Sequence, residues 1–269
     1  MIIGIDIGIT TTKAVAIVDR GVLKKVKTRA IDAVTAATGA LGKIIIENNI
    51  NMPEIEQIII TGAGSSNINS NLFGLSTKKI DEFKAIGIGG MYLSKQENII
   101  ITNIGTGTAI IEASKEKISH LGGSGVGGGS IMGLSKKLLM IDNFDDIIEL
   151  ACNGDIKQID LLISHITSAD ISFLNKSSTA SNFGKMLGTA KREDVALGIL
   201  NMVYQVIGML SVFAARQKNI HHVIVTGNGS NNPIGKQVLS ELTKMYGIEF
   251  EYPQDAEYTT AVGAALSFV

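Results

Sequence analysis

The first residues that could do chemistry lie in a polar turn near the start of the chain, between two apolar runs that predict a hairpin of buried strands. Asp6 ends the first run, where a carboxylate needs a partner such as a metal ion or ordered water. Gly8 would let the backbone approach a ligand closely. The hydroxyls of Thr10 and Thr11 and the ammonium of Lys13 suit phosphate oxygens. Taken alone, the segment would also fit an ordinary threonine-rich hairpin.

A second turn of the same design follows further along the chain. The segment 98–112 runs from an apolar strand through Gly105, Thr106, Gly107 and Thr108 into another apolar strand. Such an internal duplication is more informative than either copy alone. Two hairpins facing each other could hold a phosphate chain from both sides, so we expect these four turn residues to bind phosphate.

Two further glycine-rich segments suit a nucleotide. Five of the seven residues from 123 to 129 are glycine, and a helix is predicted to follow; they are Gly123, Gly125, Gly127, Gly128 and Gly129. A glycine loop leading into a helix offers unpaired amides and a favourable dipole to an anion, although a flexible linker is the alternative. Gly227, Asn228 and Gly229 follow a predicted strand, and the two glycines would let the backbone pass under a flat ring such as adenine.

The elements that must position these residues alternate between strand and helix, which predicts an α/β fold. Asp32 is placed to N-cap a helix over residues 33–48. The segment 193–217 is apolar most of the way round and predicts a core helix whose small residues permit close packing. Glu82 stands where another helix opens, a position that capping or simple solvation would explain.

Composition excludes several classes of function. The 269 residues suit one large domain or two of ~130 residues. A net charge of −1, from 24 basic and 25 acidic residues, argues against general binding to nucleic acid or to an anionic membrane surface. The single cysteine, Cys152, allows neither an intrachain disulfide nor a cysteine-rich metal cluster. We find no stretch of 18 or more apolar residues and no charged leader, so we expect a cytoplasmic protein with no membrane span.

The motifs, in this order, resemble the superfamily of acetate and sugar kinases, actin and the heat-shock chaperone ATPases. Residues 6–13 fit its Asp-x-Gly-x-Thr-x-x-Lys pattern, 105–108 its second phosphate turn, 225–229 its adenosine motif and 261–265 its closing helix. The resemblance implies a two-lobed actin-like ATPase fold of duplicated ribonuclease H-like domains, with ATP and Mg²⁺ in the interlobe cleft. The lobes would span residues 1–95 and 96–269, and Asp6 would hold Mg²⁺ largely through water.

A narrower resemblance is to the type II pantothenate kinases. It extends over almost the whole chain, in the segments 81–83, 103–108, 122–129 with 132–134, 154–155 with 159–161, and 180–184. It implies that ATP phosphorylates pantothenate to 4′-phosphopantothenate, the first step of coenzyme A synthesis, in a cytoplasmic homodimer. It also implies that Glu82 is the catalytic base, which accepts the proton of the attacking alcohol and aims its oxygen at the γ-phosphorus.

One position departs from the pattern of that family. His120 stands where the family typically has an arginine that contacts substrate or developing charge, and an imidazole cannot make the bidentate contact of a guanidinium. Tyr252 falls where the family places a tyrosine that lines the pantothenate pocket across the dimer. A half-buried aromatic residue near a strand end would explain Tyr252 equally well.

Two other functions therefore stay open. The change at His120 motivates a kinase for another small alcohol, such as an amino sugar. A non-catalytic ATP-binding switch of the same fold is the second alternative. ATPase activators with an iron–sulfur cluster also belong to the superfamily, but two copies of Cys152 would supply fewer thiolates than the four that a cluster usually needs.

Overall fold

The computed structural model describes residues 1–19, 21–29, 32–169 and 175–268. Strands and helices alternate along these residues, which confirms the α/β class. The strands are β1 Ile2–Ile7, β2 Thr11–Val18, β3 Gly21–Arg29, β4 Gln57–Thr61, β5 Thr77–Lys79, β6 Ile99–Ile104, β7 Thr108–Ala113, β8 Ile118–Ser124, β9 Leu161–Leu162, β10 Thr179–Ser181, β11 His222–Thr226 and β12 Glu249–Glu251. The α-helices are α1 Ala33–Asn48, α2 Glu82–Ser94, α3 Gly128–Leu139, α4 Phe144–Ala151, α5 Arg192–Gln217, α6 Pro233–Tyr246 and α7 Thr259–Leu266.

The first sheet contains five strands in the order β3-β2-β1-β4-β5. Strands β1, β2 and β3 are antiparallel, whereas β4 and β5 run parallel to β1. Because side chains alternate along a strand, Ile3, Ile5 and Ile7 share one face, where they pack in a cluster with residues of α1. The Asp32 side chain accepts a hydrogen bond from the Thr35 amide at 2.9 Å, so α1 begins where the sequence predicts.

The second sheet repeats this topology with the order β12-β11-β6-β7-β8. Strands β6, β7 and β8 are antiparallel, and β11 and β12 run parallel to β6. The predicted duplication of hairpins is therefore confirmed, and it extends to whole sheets. Helices α3, α4, α5 and α6 contribute to the hydrophobic cluster on one face of the second sheet.

Helices α2 and α7 lie between the two sheets and pack on each other. Helix α2 buries Ile86 against the second sheet, while α7 buries Val262 against the first. A Cβ atom at Gly263 would collide with the carbonyl oxygen of Ala85, and one at Gly89 with that of Thr259, so the two backbones are in direct contact. Each half of the chain thus sends one helix to the sheet of the other half, and the boundary between residues 95 and 96 stays a prediction.

Helix α5 is the core helix that the sequence predicts, with Ile199, Val203 and Ile207 fully buried. It also contains an 18-residue window of mean hydropathy 1.8, which is long and apolar enough to cross a membrane by composition. Asn201 and Gln205 interrupt its apolar sequence, so the helix contains no unbroken run of 18 apolar residues, as expected from the sequence. Because 61% of this window is buried inside the protein, packing in the core accounts for its composition.

Candidate functional site

Each of the two Gly/Thr turns presents free backbone amides. In the first turn the Gly8 amide donates to the Thr11 carbonyl at 3.2 Å, and in the second the Gly105 amide donates to the Gly107 carbonyl at 2.9 Å. Within the part of the chain that the structure describes, the amides of Ile9, Thr10, Thr106 and Gly107 make no hydrogen bond. Consecutive free amides in a turn form a concavity that binds anions. Ile9 was not predicted as a binding residue, because its side chain is apolar and only its backbone amide is available to an anion.

The first turn contacts the predicted adenosine turn directly. The Asn228 side-chain amide donates to the Thr11 hydroxyl oxygen at 3.0 Å. Since a threonine hydroxyl can accept and donate at once, the Thr11 hydroxyl can still donate its own hydrogen, and its contact with phosphate stays a prediction. This contact places the turns that follow β1 and β11 side by side.

The glycine-rich segment differs from the prediction of one continuous loop. Gly123 lies in strand β8, only residues 125–127 form a loop, and Gly128 and Gly129 begin helix α3. Within the described residues, Gly125 keeps a free amide. A Cβ atom at Gly127 would lie 2.8 Å from the Gly107 backbone, so this glycine is needed for the close approach of the loop to the second turn.

Three of the groups predicted to bind phosphate make hydrogen bonds inside the protein instead. The Gly128 amide donates to the Gly105 carbonyl at 2.9 Å, and the Gly129 amide donates to the Thr106 carbonyl at 2.8 Å. The Thr108 hydroxyl donates to the Val126 carbonyl at 2.8 Å. These hydrogen bonds hold the second turn in shape, and contact of Gly128, Gly129 and Thr108 with phosphate stays a prediction.

The adenosine turn also uses its glycines differently from the prediction. A Cβ atom at Gly229 would collide with Ile104, and the Gly229 carbonyl accepts a hydrogen bond from the buried Tyr204 hydroxyl at 2.7 Å. Gly227 is likewise buried against β6, with φ of 83°. Packing therefore requires both glycines, and Asn228 is the partly exposed residue of the three. Contact of this turn with adenine stays a prediction.

Asp6 and Lys13 lie opposite each other on β1 and β2. Burial raises the pKa of Asp6, and the nearby Lys13 ammonium opposes that rise. Burial lowers the pKa of Lys13, and the carboxylates of Asp6 and Glu257 oppose that fall. Burial thus disfavours the charged form of both groups, and each charge partly offsets that penalty on the other.

Glu82 is the first residue of α2, whose N-cap is Asp81; the Asp81 carboxylate accepts a hydrogen bond from the Lys84 amide at 2.9 Å. Burial raises the pKa of Glu82 to about 7, with smaller contributions from the charges of Asp6 and Asp81. The contribution of Asp6 indicates that the two carboxylates lie within electrostatic reach of each other, although they are on different elements. A carboxylate that titrates near neutral pH suits proton transfer.

His120 stacks on the residue that follows Glu82. The rings of Phe83 and His120 are parallel within 4°, with their centroids 4.0 Å apart. Both line an open groove of about 550 Å³ between α2 and the β7–β8 hairpin, with Lys84 and Lys117 also along it. The structure thus places His120 beside the N-terminus of the helix that carries Glu82, and its contact with substrate stays a prediction.

Tyr252 lies elsewhere. It follows β12, whereas His120 is on β8, and these strands are opposite edges of the second sheet. Four strand spacings of ~4.8 Å separate the edges by roughly 19 Å, too far for one chain to join both residues around a small molecule. Tyr252 is half-buried beside Lys236, whose ammonium lies 5.0 Å from the ring centroid.

The described residues contain no group of three or more His, Cys, Asp or Glu side chains that would hold a metal ion by themselves. Asp6 nevertheless fits Mg²⁺, because this ion takes one or two carboxylates and completes its shell with water and substrate phosphate. The charge of Asp6 also contributes to the raised pKa of Glu82, and a cation bound at Asp6 would offset that contribution.

Solved structures with this fold are distant in sequence. The activator of 2-hydroxyisocaproyl-CoA dehydratase from Clostridium difficile with bound ADPNP matches with a TM-score of 0.69 and 19% identity, covering 98% of this chain and 92% of that chain. A ROK family glucokinase from Streptomyces griseus in complex with glucose and AMPPNP matches with a TM-score of 0.61 and 13% identity, covering 98% and 97%. These likenesses confirm the actin-like ATPase fold.

Curated relatives are much closer in sequence. The family model described as Fumble matches residues 95–267. The type II pantothenate kinase of Bacillus cereus strain G9842 is 38% identical over 223 residues, covering 79% of this chain and 81% of the relative. The enzyme of the same name from Staphylococcus haemolyticus is 29% identical over 274 residues, covering 98% of both. On this evidence the chain belongs to the type II pantothenate kinase family.

Proposed function

We propose that this chain transfers the γ-phosphoryl group of ATP to the primary hydroxyl of pantothenate, giving 4′-phosphopantothenate for coenzyme A synthesis. The observation that carries the proposal is the position of Glu82. Burial raises the pKa of its carboxylate to about 7, and the charge of Asp6, which precedes the first phosphate turn, adds to that rise. Membership of the type II pantothenate kinase family supports the same acceptor.

The two turns bind the phosphate chain of ATP in this proposal. The free amides of Ile9 and Thr10 meet phosphate oxygens from one side, and those of Thr106 and Gly107 from the other. The Lys13 ammonium adds positive charge beside Asp6. Asp6 would hold Mg²⁺ through water, and the ion would neutralise charge on the phosphate oxygens.

Glu82 accepts the proton of the pantothenate hydroxyl. As the alcohol oxygen bonds to the γ-phosphorus, the bond from that phosphorus to the β–γ bridging oxygen breaks and ADP leaves. The hydroxyl proton passes to the Glu82 carboxylate. Near pH 7 about half of the Glu82 carboxylates are ionised, so enough base is present, and the protonated carboxyl readily loses its proton to solvent to regenerate the base.

We also propose a cytoplasmic homodimer that pairs through α5. Met202, Val206, Met209 and Phe213 recur at helical spacing, and Val206 and Phe213 are exposed by 36% and 59%. In this proposal a second copy of the chain covers these four side chains of α5. A second copy is also needed for the substrate site, because Tyr252 is too far from His120 of its own chain for both to contact one substrate. Pairing of two chains would allow Tyr252 of one chain to meet the site of the other.

A kinase for a different small alcohol is the second candidate, and the His120–Phe83 stack favours it. A flat imidazole held face to face with a phenyl ring presents a different contact from a guanidinium. The acceptor pocket of this chain therefore differs from the family pattern in the neighbourhood of Glu82.

The deciding experiment measures ADP release and product mass with purified protein, ATP·Mg²⁺ and a panel of alcohols. Formation of 4′-phosphopantothenate supports the proposal. Turnover with an amino sugar but not with pantothenate would transfer support to the second candidate. Tight ATP binding without turnover of any alcohol would favour the non-catalytic switch.

A further inference from the structure

A short motif occurs twice in the chain, once in each sheet. Thr61-Gly-Ala-Gly-Ser65 follows β4, and Thr226-Gly-Asn-Gly-Ser230 follows β11. Gly62 and Gly227 have φ of 84° and 83°, a conformation that favours glycine. In both copies the serine amide then donates to that glycine's carbonyl, at 3.0 and 3.1 Å. The two segments are therefore structural copies as well as sequence copies.

The neighbours of the two motifs also correspond. Thr61 is paired in register with Asp6 of β1, and Thr226 is paired in register with Asn103 of β6. A Cβ atom at Gly62 would lie 2.6 Å from an Asp6 carboxylate oxygen, and one at Gly227 would lie 2.9 Å from the Asn103 side-chain oxygen. The side chains of Asp6 and Asn103, which have the same shape, thus lie close to the glycines that follow equivalent strands.

The two copies differ in one hydrogen bond. The Thr226 hydroxyl donates to the Asn103 side-chain oxygen at 3.0 Å. The Thr61 hydroxyl is fully buried and has no hydrogen-bond partner among the described residues. A buried hydroxyl without a partner costs about 1–3 kcal/mol. Parallel strands in register direct paired side chains to the same face, so the Asp6 carboxylate is the acceptor nearest to Thr61 along the strand pair.

We propose that Thr61 is a positioning residue for Asp6, in the ATP site on which the proposed function rests. When nucleotide and Mg²⁺ are bound, the Thr61 hydroxyl donates to one oxygen of the ionised Asp6 carboxylate, as Thr226 donates to Asn103. That bond fixes the rotamer of Asp6 and leaves the other oxygen directed toward the water shell of the cation. Thr61 touches no substrate and acts through Asp6.

The test measures Mn²⁺ affinity in place of Mg²⁺, by the electron paramagnetic resonance signal of free Mn²⁺, with a non-hydrolysable ATP analogue present. Thr61→Val keeps the branched shape and removes the hydroxyl, and it should raise the apparent Kd for Mn²⁺ roughly 10-fold, the scale of a hydrogen bond to a charged group. Thr61→Ser keeps the hydroxyl and should restore most of the affinity. The melting temperature of each variant shows whether it is folded.

Three outcomes would overturn the proposal. Thr61→Val could bind Mn²⁺ as tightly as the wild type, Thr61→Ser could lose as much affinity as Thr61→Val, or the wild type could fail to bind Mn²⁺ with the analogue. The second outcome would assign the effect to packing. Because the readout needs no pantothenate, a wild type that binds Mn²⁺ and analogue but does not phosphorylate pantothenate would refute the proposed function and leave the role of Thr61 testable.

Discussion

Glu82→Gln tests the reasoning about catalysis most directly, because glutamine keeps the shape of glutamate and cannot accept the proton. A positioned general base contributes about 10²- to 10⁴-fold to rate. We therefore expect kcat for pantothenate to fall by at least ~10²-fold, while the Kd for an ATP analogue stays close to that of the wild type. Glu47→Gln removes an exposed carboxylate from α1 and is the matched control, with no expected change in kcat.

The pH dependence of the wild type gives the second part of this prediction. With a pKa of about 7 for Glu82, kcat/KM should fall as the pH drops, because protonation removes the base. Between pH 7 and pH 6 the ionised fraction falls from about one half to about one eleventh, so the rate should fall about fivefold. Asp81→Asn removes one of the charges that raise this pKa, so the fall in kcat/KM should occur at a lower pH than in the wild type.

The assay is a coupled measurement of ADP release from pH 5 to pH 9, with saturating ATP and varied pantothenate. The fall in kcat/KM below about pH 7 should be present in the wild type and in Glu47→Gln, and absent from the residual activity of Glu82→Gln. Wild-type turnover by Glu82→Gln would refute the role of Glu82 as base. If the same fall in kcat/KM persists in Glu82→Gln, the titrating group is not Glu82.

The pKa of Glu82, the His120–Phe83 stack, the α2–α7 contact and the exposed side of α5 each give a further prediction. The pKa of Glu82 in the folded protein, about 7, lies above its ordinary value of 4.5, so the folded state pays a penalty for ionisation that grows as the pH rises from 4.5 through about 7. Glu82→Gln should therefore raise the free energy of unfolding by up to about 3 kcal/mol at pH 8 and leave it unchanged below pH 4.5, as measured by urea unfolding. His120→Arg introduces a guanidinium beside Phe83 and should lower the KM for pantothenate several-fold in the same ADP-release assay. An unchanged KM would show that residue 120 does not contact pantothenate. Gly263→Val should lower the melting temperature strongly, since its side chain would enter the backbone of α2, whereas a wild-type melting curve would contradict the direct contact of α2 and α7. Phe213→Glu should convert a dimer to a monomer in light-scattering measurements, and a monomeric wild type would refute the proposed pairing through α5.

Patterns that act over a few residues were predictable from the sequence. The start of α1 at Asp32 depends on a side chain and an amide three residues away, and the two hairpins depend on apolar runs broken by glycine and threonine. The repeated Thr-Gly-x-Gly-Ser motif was equally visible in the sequence, at Thr61 and Thr226. Its meaning was hidden there, because the pairing with Asp6 and Asn103 depends on strand order.

Several properties of the candidate site required the tertiary structure. Burial in the folded protein is the largest cause of the raised pKa of Glu82, and the charge of Asp6, which is distant in the sequence, adds to it. Only the fold shows that the Thr108 hydroxyl bonds to the Val126 carbonyl and is engaged inside the protein. The sequence lists groups that are able to bind phosphate, but which of them remain free is decided by the hydrogen bonds that the fold makes first.

The opposite edges of the second sheet illustrate the same limit. His120 and Tyr252 were both predicted to contact substrate, Tyr252 across the dimer, and only the order β12-β11-β6-β7-β8 shows that the width of the sheet separates them within one chain. The amino-acid sequence determined the local turns, the helix starts and the family, because these depend on residue types at short spacing. The tertiary structure decided which carboxylates meet, which amides stay free and which side chains can share one ligand, because these depend on distances between residues far apart in the chain.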